Sequence, residues 1–402
     1  MNILIVSQYF LPERFKINDI AQALSKEGHH VRVLTGLPNY PEGDFFPGYG
    51  LKGPYREKAG DVEIIRCPLF PRGQKKGWRL ALNYLSFMVF SSFLAPFLIR
   101  GKVDRIFVYQ LSPVTAALPA IILKWVKKCS ITFWVTDLWP ETLEATGVVT
   151  SQQWMDIWGR FVKFLYNHSD KILVTSIGFI DKIAERGIER TKLLYWPQWG
   201  EDLFKSIPEN ATNITGSLPM GFRVMFAGNI GTSQAFETIV EAATILKEYT
   251  DVKWLILGDG LMRPWVEQEI VNRNLTEQFF LLGSRPMEEM PAFYSQADVL
   301  LASLKKDPLF AITVPAKIQS YLPSGKPIIA SMDGEGADLV KNAGVGLSCD
   351  ASNAEQLADC VLVLHRMSLQ ERNSMGERGK RYFKENFDRE ILLKRLVKIM
   401  EL

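Results

Sequence analysis

The sequence predicts an α/β protein built as two Rossmann-like parallel-sheet domains facing a cleft, with a C-terminal helix crossing back. Three observations predict it. Short β-type runs alternate with helical patterns, the alternation occurs twice, and a polar, Pro-containing stretch separates the two copies. The length of 402 residues points the same way, since it is too long for one core. Apolar residues at 47% and charged residues at 23% are the proportions of an ordinary folded chain and exclude extensive disorder.

In the first copy the β-type runs are Ile3–Ser7, His30–Thr35, Val62–Arg66, Arg105–Tyr109, Ser130–Thr136 and Lys171–Thr175. Helical patterns lie between most of them, for example Asn18–Lys26 and Val114–Lys128. The second copy has runs at Phe222–Ala227, Val252–Leu257, Phe279–Leu282, Val299–Ala302, Pro327–Ala330 and Gly346–Ser348. Tyr195–Gly200 and the polar run Pro208–Pro219 read as linker, which sets the domains at 1–200 and 201–385. Arg389–Leu402 reads as an amphipathic helix, and residues 386–402 are expected to pack back on the first domain. Ligands of such sheets bind beyond the carboxyl ends of the strands, so function is sought there.

What the chain lacks is informative. Its four cysteines (Cys67, Cys129, Cys349, Cys360) form no CxxC, which fits buried thiols in a reducing compartment. The first ten residues, MNILIVSQYF, have no basic n-region or small-residue cleavage site and read as a β-strand rather than a signal peptide. The four histidines make no HExxH and no Asp-x-Asp occurs, so neither a metal nor a cofactor is expected. The absence of a Walker loop and of GxGxxG argues against ATP hydrolysis and NAD. Net charge is +3, but residues 1–200 carry 25 Lys+Arg against 17 Asp+Glu, a balance of +8, and the remainder 22 against 27, a balance of −5. The basic half is expected to face something anionic, with nucleic acid not among its partners.

The run Leu80–Ile99 is almost wholly apolar, with Lys75, Lys76 and Arg79 before it and Arg100 and Lys102 after it. It is just long enough to span a bilayer. Asn83, Ser86, Ser91, Ser92 and Pro96, and its place between strands of one domain, argue against spanning. The expectation is a helix pair lying against core and bilayer surface, its basic flanks on anionic lipid. Trp125, Lys124, Lys127, Lys128, Trp154, Trp158, Arg160 and Lys163 would extend that face. Ordinary core helices are the alternative.

Four strand ends in the second copy carry glycine or polar motifs: Gly228-Asn-Ile-Gly231, Gly258-Asp-Gly260 with Arg263, Gly283-Ser-Arg285, and Thr313-Val-Pro-Ala-Lys317 with Tyr321 and Ser324-Gly-Lys326. At the first, the pattern predicts a strand that stops at two glycines with a helix mouth directly behind. Glycine lets backbone approach a ligand, and unpaired N–H groups at a helix start favour an anion. Several such turns in one sheet, with cations beside them, favour a diphosphate-containing ligand.

These motifs, together with QYFLPE (8–13), GHHVRVLTGLPNYPEG (28–43), VTDLWPE (135–141), AGNIG (227–231), LGDG (257–260) and TVPAKIQSYLPSGKPIIASMDGEGADLV (313–340), resemble the GT-B glycosyltransferases, and within them family 4, the retaining sugar-nucleotide transferases. More narrowly the chain is similar to bacterial surface-polysaccharide (O-antigen and capsule) L-fucosamine, or N-acetyl-L-fucosaminyl, transferases. The resemblance implies a UDP-sugar bound by the second domain. Asn229 and Gly231 would contact the diphosphate, Lys317 and Arg263 would neutralise it, Arg285 would lie beside the base and Ser320 near the ribose. Gly258 and Tyr321 belong to the same motifs and are counted with that site. For Lys317 and Arg263 the bland alternative is a solvated helix-face charge. The resemblance also implies an undecaprenyl-diphosphate-linked saccharide as acceptor, at the cytoplasmic face of the inner membrane.

One departure concerns two glutamates, eight positions apart, that family-4 enzymes usually carry. Aligned on Ser324-Gly-Lys-Pro327, this chain has Ser320 in place of the second and Ile312 or Thr313 in place of the first. An apolar patch near Phe310–Ile312 would suit a 6-deoxy sugar; Asp307, Asp333 or Glu335 could instead supply the missing contacts.

In the first domain Asp137 follows a strand end, where a carboxylate can position or deprotonate an acceptor hydroxyl. The competing reading is a helix N-cap. Glu13, after the first strand, is the other candidate acid. The loop Leu37-Pro-Asn-Tyr-Pro41 fits sugar stacking or is a plain surface loop. Two other classes remain open: a UDP-N-acetylglucosamine 2-epimerase-like enzyme, which would carry a glutamate-rich cleft, and a non-catalytic two-lobed sugar-binding protein.

Overall fold

The computed structural model describes residues 1–73, 77–145, 151–200, 216 and 218–401. Lys75, Lys76 and most of the linker run 208–219 lie outside the described residues. The first sheet holds eight strands: β1 (Asn2–Val6), β2 (His30–Gly36), β3 (Arg56–Ala59), β4 (Val62–Cys67), β5 (Arg105–Gln110), β6 (Ser130–Val135), β7 (Lys171–Val174) and β8 (Leu193–Tyr195). Their order is β3-β4-β2-β1-β5-β6-β7-β8, parallel except for the antiparallel β3–β4 pair. β1 reads Asn-Ile-Leu-Ile-Val with its last four residues buried, as a strand covered on both faces requires.

The second sheet holds β9 (Phe222–Ala227), β10 (Val252–Leu257), β11 (Phe279–Gly283), β12 (Val299–Ser303), β13 (Ile328–Ser331) and β14 (Gly346–Cys349), in the order β11-β10-β9-β12-β13-β14 and all parallel. Alternate residues feed two cores: Val224, Phe226, Trp254 and Ile256 on one face, Met225, Leu255, Leu300 and Ala302 on the other. Strand order reverses between β1 and β5 in the first sheet and between β9 and β12 in the second. These are the switch points where ligands of such sheets bind.

The chain divides into two compact units, Met1–Thr175 with Phe179–Trp196 and Leu393–Leu402, and Ser176–Gly178 with Pro197–Leu392. Within the first, Arg105 and Lys171 donate to the carbonyls of Met400 and Ile399 in the last helix, Arg389–Glu401.

The sequence reading missed two strands. β3 is a charged edge strand (Arg-Glu-Lys-Ala) without apolar alternation, and β8 is three residues long, ending at Tyr195, which had been placed in the linker. The apolar run forms one continuous helix, Gly77–Leu98, and not a helix pair. Pro96 falls in its last turn. Two of its serines turn back onto the helix and do not break it: Ser86 donates to the carbonyl of Asn83 and Ser91 to that of Phe87. Only 28% of its most apolar window is buried, so it is not an ordinary core helix either.

Candidate active site

At the β9/β12 switch point a cavity of about 430 Å³ opens in the second unit. Its walls come from three consecutive strand ends (Ala227, Gly228, Asn229; Leu257, Gly258, Asp259; Ser284, Arg285) and from two helices bearing Met290, Tyr294, Ala316, Lys317 and Ser320. The glycines are sterically required. Gly228 and Gly258 have φ of +133° and +139°, and a Cβ on Gly258 would sit 1.9 Å from the Gly228 carbonyl oxygen. Interlocking bonds hold the turns together: Gly228 N–H donates to Leu257 O (2.8 Å) and Gly258 N–H to Gly283 O (2.9 Å).

Lys317 reaches across this cradle. A Cβ on Gly228 would meet its Cε at 2.6 Å, and its Nζ stands 3.4 Å from the centroid of the Phe226 ring. Among the described residues the Nζ is buried without a hydrogen-bond partner, and burial pushes its pKa down to about 7. A buried ammonium lacking any counter-charge is unfavourable unless a ligand supplies one. Arg285, also in the wall, has its guanidinium 5.6 Å from the centroid of the Phe293 ring.

The site thus gathers Asn229, Gly258, Arg285, Lys317 and Ser320, but not every residue expected of it. Tyr321 is fully buried beneath, its hydroxyl accepting from Ala227 N–H at 3.0 Å, so it braces the β9 end and cannot touch a ligand. Gly231 spends its N–H on the Gln234 side chain at 3.1 Å and is outside the cavity wall. Arg263 is also outside it, held by Glu267 at 2.8 Å and Asp259 at 3.7 Å. The helix mouth expected directly behind Gly231 is displaced: a 3-10 turn, Thr232–Gln234, and Ala235 at φ +49° precede the helix Phe236–Ile245. Backbone turns, not a helix N-terminus, therefore face the cavity at this strand end. The cavity's apolar residues Met287, Met290 and Tyr294 were missed, because only the fold brings them beside the glycine turns. Phe310 and Ile312 do not line it.

In the first unit, Asp137 lies just beyond β6. The next helix, Glu141–Ala145, begins four residues later, which removes the N-cap reading. Asp137 is instead tied to Ser112, whose hydroxyl donates at 3.4 Å, while Gln110 fixes its backbone carbonyl at 2.8 Å. Burial raises the Asp137 pKa. Glu13 is buried with both oxygens occupied: Oε1 accepts the N–H groups of Asn39 and Tyr40, each at 2.8 Å, and Oε2 that of Phe10 at 3.2 Å. Burial outweighs those donors and lifts its pKa to about 7. Such a carboxylate shapes the loop Leu37–Pro41 and has most of its acceptor capacity committed to backbone N–H groups; that loop, with Leu37 and Asn39 buried, is not a plain surface loop.

Residues 16–199 match the glycosyl transferase 4-like domain, and residues 210–382 match the glycosyl transferases group 1 family. The chain belongs to the group 1, family-4-like GT-B glycosyltransferases. It is 25% identical over 339 residues to WcaI of Escherichia coli (strain K12), named as a glycosyl transferase of colanic acid biosynthesis, an alignment covering 81% of this chain and 82% of WcaI. Two solved structures share the fold across 100% of this chain. Anabaena HepE in complex with UDP has a TM-score of 0.72 at 14% identity, all of it covered. WaaG, a glycosyltransferase involved in lipopolysaccharide biosynthesis, has a TM-score of 0.69 at 14% identity, with 99% covered.

Membership makes this glycosyltransferase an enzyme and sets aside the epimerase and the non-catalytic sugar-binding protein; the cavity, whose one acidic lining residue is Asp259, is not glutamate-rich. The acids suggested as substitutes for the absent glutamate pair have structural duties. Asp307 caps Leu309 N–H at 2.9 Å, Asp333 accepts from Ala351 N–H at 2.8 Å, and Glu335 accepts from the backbone of Ile177 and Gly178, residues of the same unit.

Proposed function

We propose that this enzyme moves an N-acetylated 6-deoxyhexosamine, such as N-acetyl-L-fucosamine, from a UDP-sugar onto an undecaprenyl-diphosphate-linked saccharide in surface-polysaccharide (O-antigen or capsule) biosynthesis. The observation that carries the donor side is the unpartnered Lys317 Nζ above the glycine cradle. A diphosphate placed there meets the ammonium and the strand-end backbone, and these stabilise the leaving UDP as the sugar–phosphate bond breaks, with no metal. Asp137 takes the acceptor side: it accepts the attacking hydroxyl's hydrogen bond and then its proton as that oxygen bonds the anomeric carbon. HepE and WcaI support the reading, the one by its UDP complex and the other by its named pathway.

We place the enzyme peripherally on the cytoplasmic face of the inner membrane. The helix Gly77–Leu98 exposes Trp78, Leu85, Val89, Phe93 and Phe97, and Trp125, Trp154 and Ile157 are exposed on other helices of that unit. Two of the residues expected on this face are engaged elsewhere: Lys124 pairs with Asp170 at 2.7 Å, and Trp158 packs on Trp139.

Thermal denaturation with a panel of UDP-, GDP- and dTDP-sugars in EDTA tests the donor. A ligand at a hundred times its Kd adds about 2.7 kcal/mol. In a unit of this size that is a rise of roughly 5–10 °C. UDP-sugars should give it without metal, UDP-N-acetyl-L-fucosamine most of all. A shift only with Mg²⁺, or only with another base, refutes the assignment.

A further inference from the structure

Arg72 lies between β4 and the helix Gly77–Leu98, at the carboxyl end of the first sheet, and is half-buried. Its guanidinium sits 4.9 Å from the Tyr40 ring centroid and 6.0 Å from that of Tyr9, and donates to the Tyr9 hydroxyl at 3.3 Å. Among the described residues it has no carboxylate partner. Tyr9, Phe15 and Tyr40 form a three-ring cluster with centroids 5.3–5.6 Å apart. Tyr84, from the apolar helix, hydrogen-bonds Tyr9, and its hydroxyl feels Arg72 and Asp137 in opposite directions. The next residue, Asn83, anchors that helix to the strand-end loops: it accepts from Gln8 at 2.7 Å and donates to Phe70 O at 2.7 Å and Asn39 Oδ1 at 3.3 Å. The exposed apolar helix is thereby fixed to the loops that surround Arg72.

We infer that Arg72, framed by Tyr9, Tyr40 and Tyr84, is the binding site for the diphosphate of a lipid-linked acceptor, whose isoprenyl chain lies along the exposed face of the helix Gly77–Leu98. A guanidinium binds phosphate bidentately through a planar fork, and the bonded pair Tyr9 and Tyr84 puts phenolic groups beside it. Ring faces only partly compensate a half-buried cation, so a ligand anion strengthens the site. The occupant is a lipid because the site opens at the start of a helix bearing Trp78, Leu82 and Leu85 in the open, beside the cation Arg79. The inference rests on the lipid-linked acceptor proposed above.

The test titrates farnesyl diphosphate, and separately farnesol, into full-length enzyme saturated with UDP, so that the donor cavity is closed to the diphosphate. Wild type should bind farnesyl diphosphate at least tenfold tighter than farnesol. Arg72→Gln should weaken farnesyl diphosphate at least tenfold, leave UDP affinity and the melting temperature unchanged, and raise the acceptor KM without moving the donor KM. Arg72→Lys, which keeps the charge but loses the fork, should recover part of the loss. Should Arg72→Gln fail to fold, Tyr84→Phe carries the test through a several-fold weakening at unchanged stability. Equal binding of farnesol, or farnesyl diphosphate affinity indifferent to these substitutions, overturns the site. Failure of wild type to bind UDP would instead overturn the donor assignment, so the two failures are distinguishable.

Discussion

On the proposed donor assignment Lys317 makes UDP binding a proton-coupled event, and the coupling has a definite sign. In the free enzyme its Nζ is buried with no counter-charge and titrates at about 7, far below the ordinary lysine value. A bound diphosphate places opposite charge against it and returns the pKa toward about 10.4. Above pH 7 the free enzyme has lost that proton and must regain it to bind, so affinity falls as pH rises. Each unit of pH above 7 costs about 1.36 kcal/mol, a tenfold loss, reaching roughly a hundredfold at pH 9. Below pH 7 the curve should flatten until the terminal phosphate of UDP itself protonates near pH 6. Stability of the unliganded protein runs the other way: between about pH 7 and 10 the unfolded state binds more protons at this site, so its contribution grows with pH. Calorimetric titration of UDP between pH 6.5 and 9, in EDTA and in buffers of different ionisation heat, should show uptake approaching one proton at the alkaline end. Lys317→Arg, charged throughout, should be flat across the window, and Lys317→Met weak and flat. A wild-type Kd constant from pH 7 to 9, or a slope that survives in Lys317→Met, refutes the reasoning.

Asp137→Asn should lower turnover by about a hundredfold or more with UDP affinity intact, measured by sugar transfer at saturating donor; because burial raises the Asp137 pKa, wild-type kcat/KM should fall as pH drops through that raised value. Gly258→Ala forces a Cβ into the Gly228 carbonyl at φ +139° and should cost about 1–3 kcal/mol of stability in a denaturant melt, together with UDP binding. Phe93→Ser with Phe97→Ser should release the enzyme from anionic liposomes in a sedimentation assay while leaving the melting temperature within a degree or two, since both rings are exposed; unchanged partition would remove the helix Gly77–Leu98 from the membrane contact.

Much of the fold was legible because strands buried on both faces write themselves as unbroken apolar runs. Each of the short β-type runs became a strand with a parallel neighbour, whereas the much longer apolar run became the helix Gly77–Leu98. The strands that escaped, β3 and β8, are a charged edge and a three-residue piece, which carry no such signature. The helix Gly77–Leu98 was legible in extent but not in continuity, since serines and a proline look like breaks until Ser86 and Ser91 are seen bonding back into the helix and the proline falls in the last turn. Around the donor cavity, glycine turns were readable because their spacing after strands is a local property. The assignments that failed concern direction. Tyr321 and Lys317 lie four positions apart on one short helix, yet Lys317 crosses Gly228 while Tyr321 runs under Ala227.

The two acids of the first unit show why chemistry at a site is harder to read than its location. Both follow strands near the β1/β5 switch point, so sequence alone offers each as the acceptor base. What separates them is the set of donors that the fold aims at each one. Three backbone N–H groups converge on Glu13 and fill it, so that its buried charge organises the loop around Asn39 and Tyr40. Asp137 draws its donors from one residue, Ser112, through the hydroxyl at 3.4 Å and the backbone N–H. Half-buried, raised in pKa and served by Ser112 where Glu13 is held by three backbone segments, it keeps capacity for a substrate hydroxyl. A carboxylate already satisfied by the protein has little left to offer a ligand, and the acid with the poorer set of partners is therefore the better catalytic candidate. The same reasoning separates Arg263, closed by two carboxylates, from Lys317, whose Nζ has none. In both units the residue assigned to chemistry is the one whose electrostatic demand the protein leaves unmet.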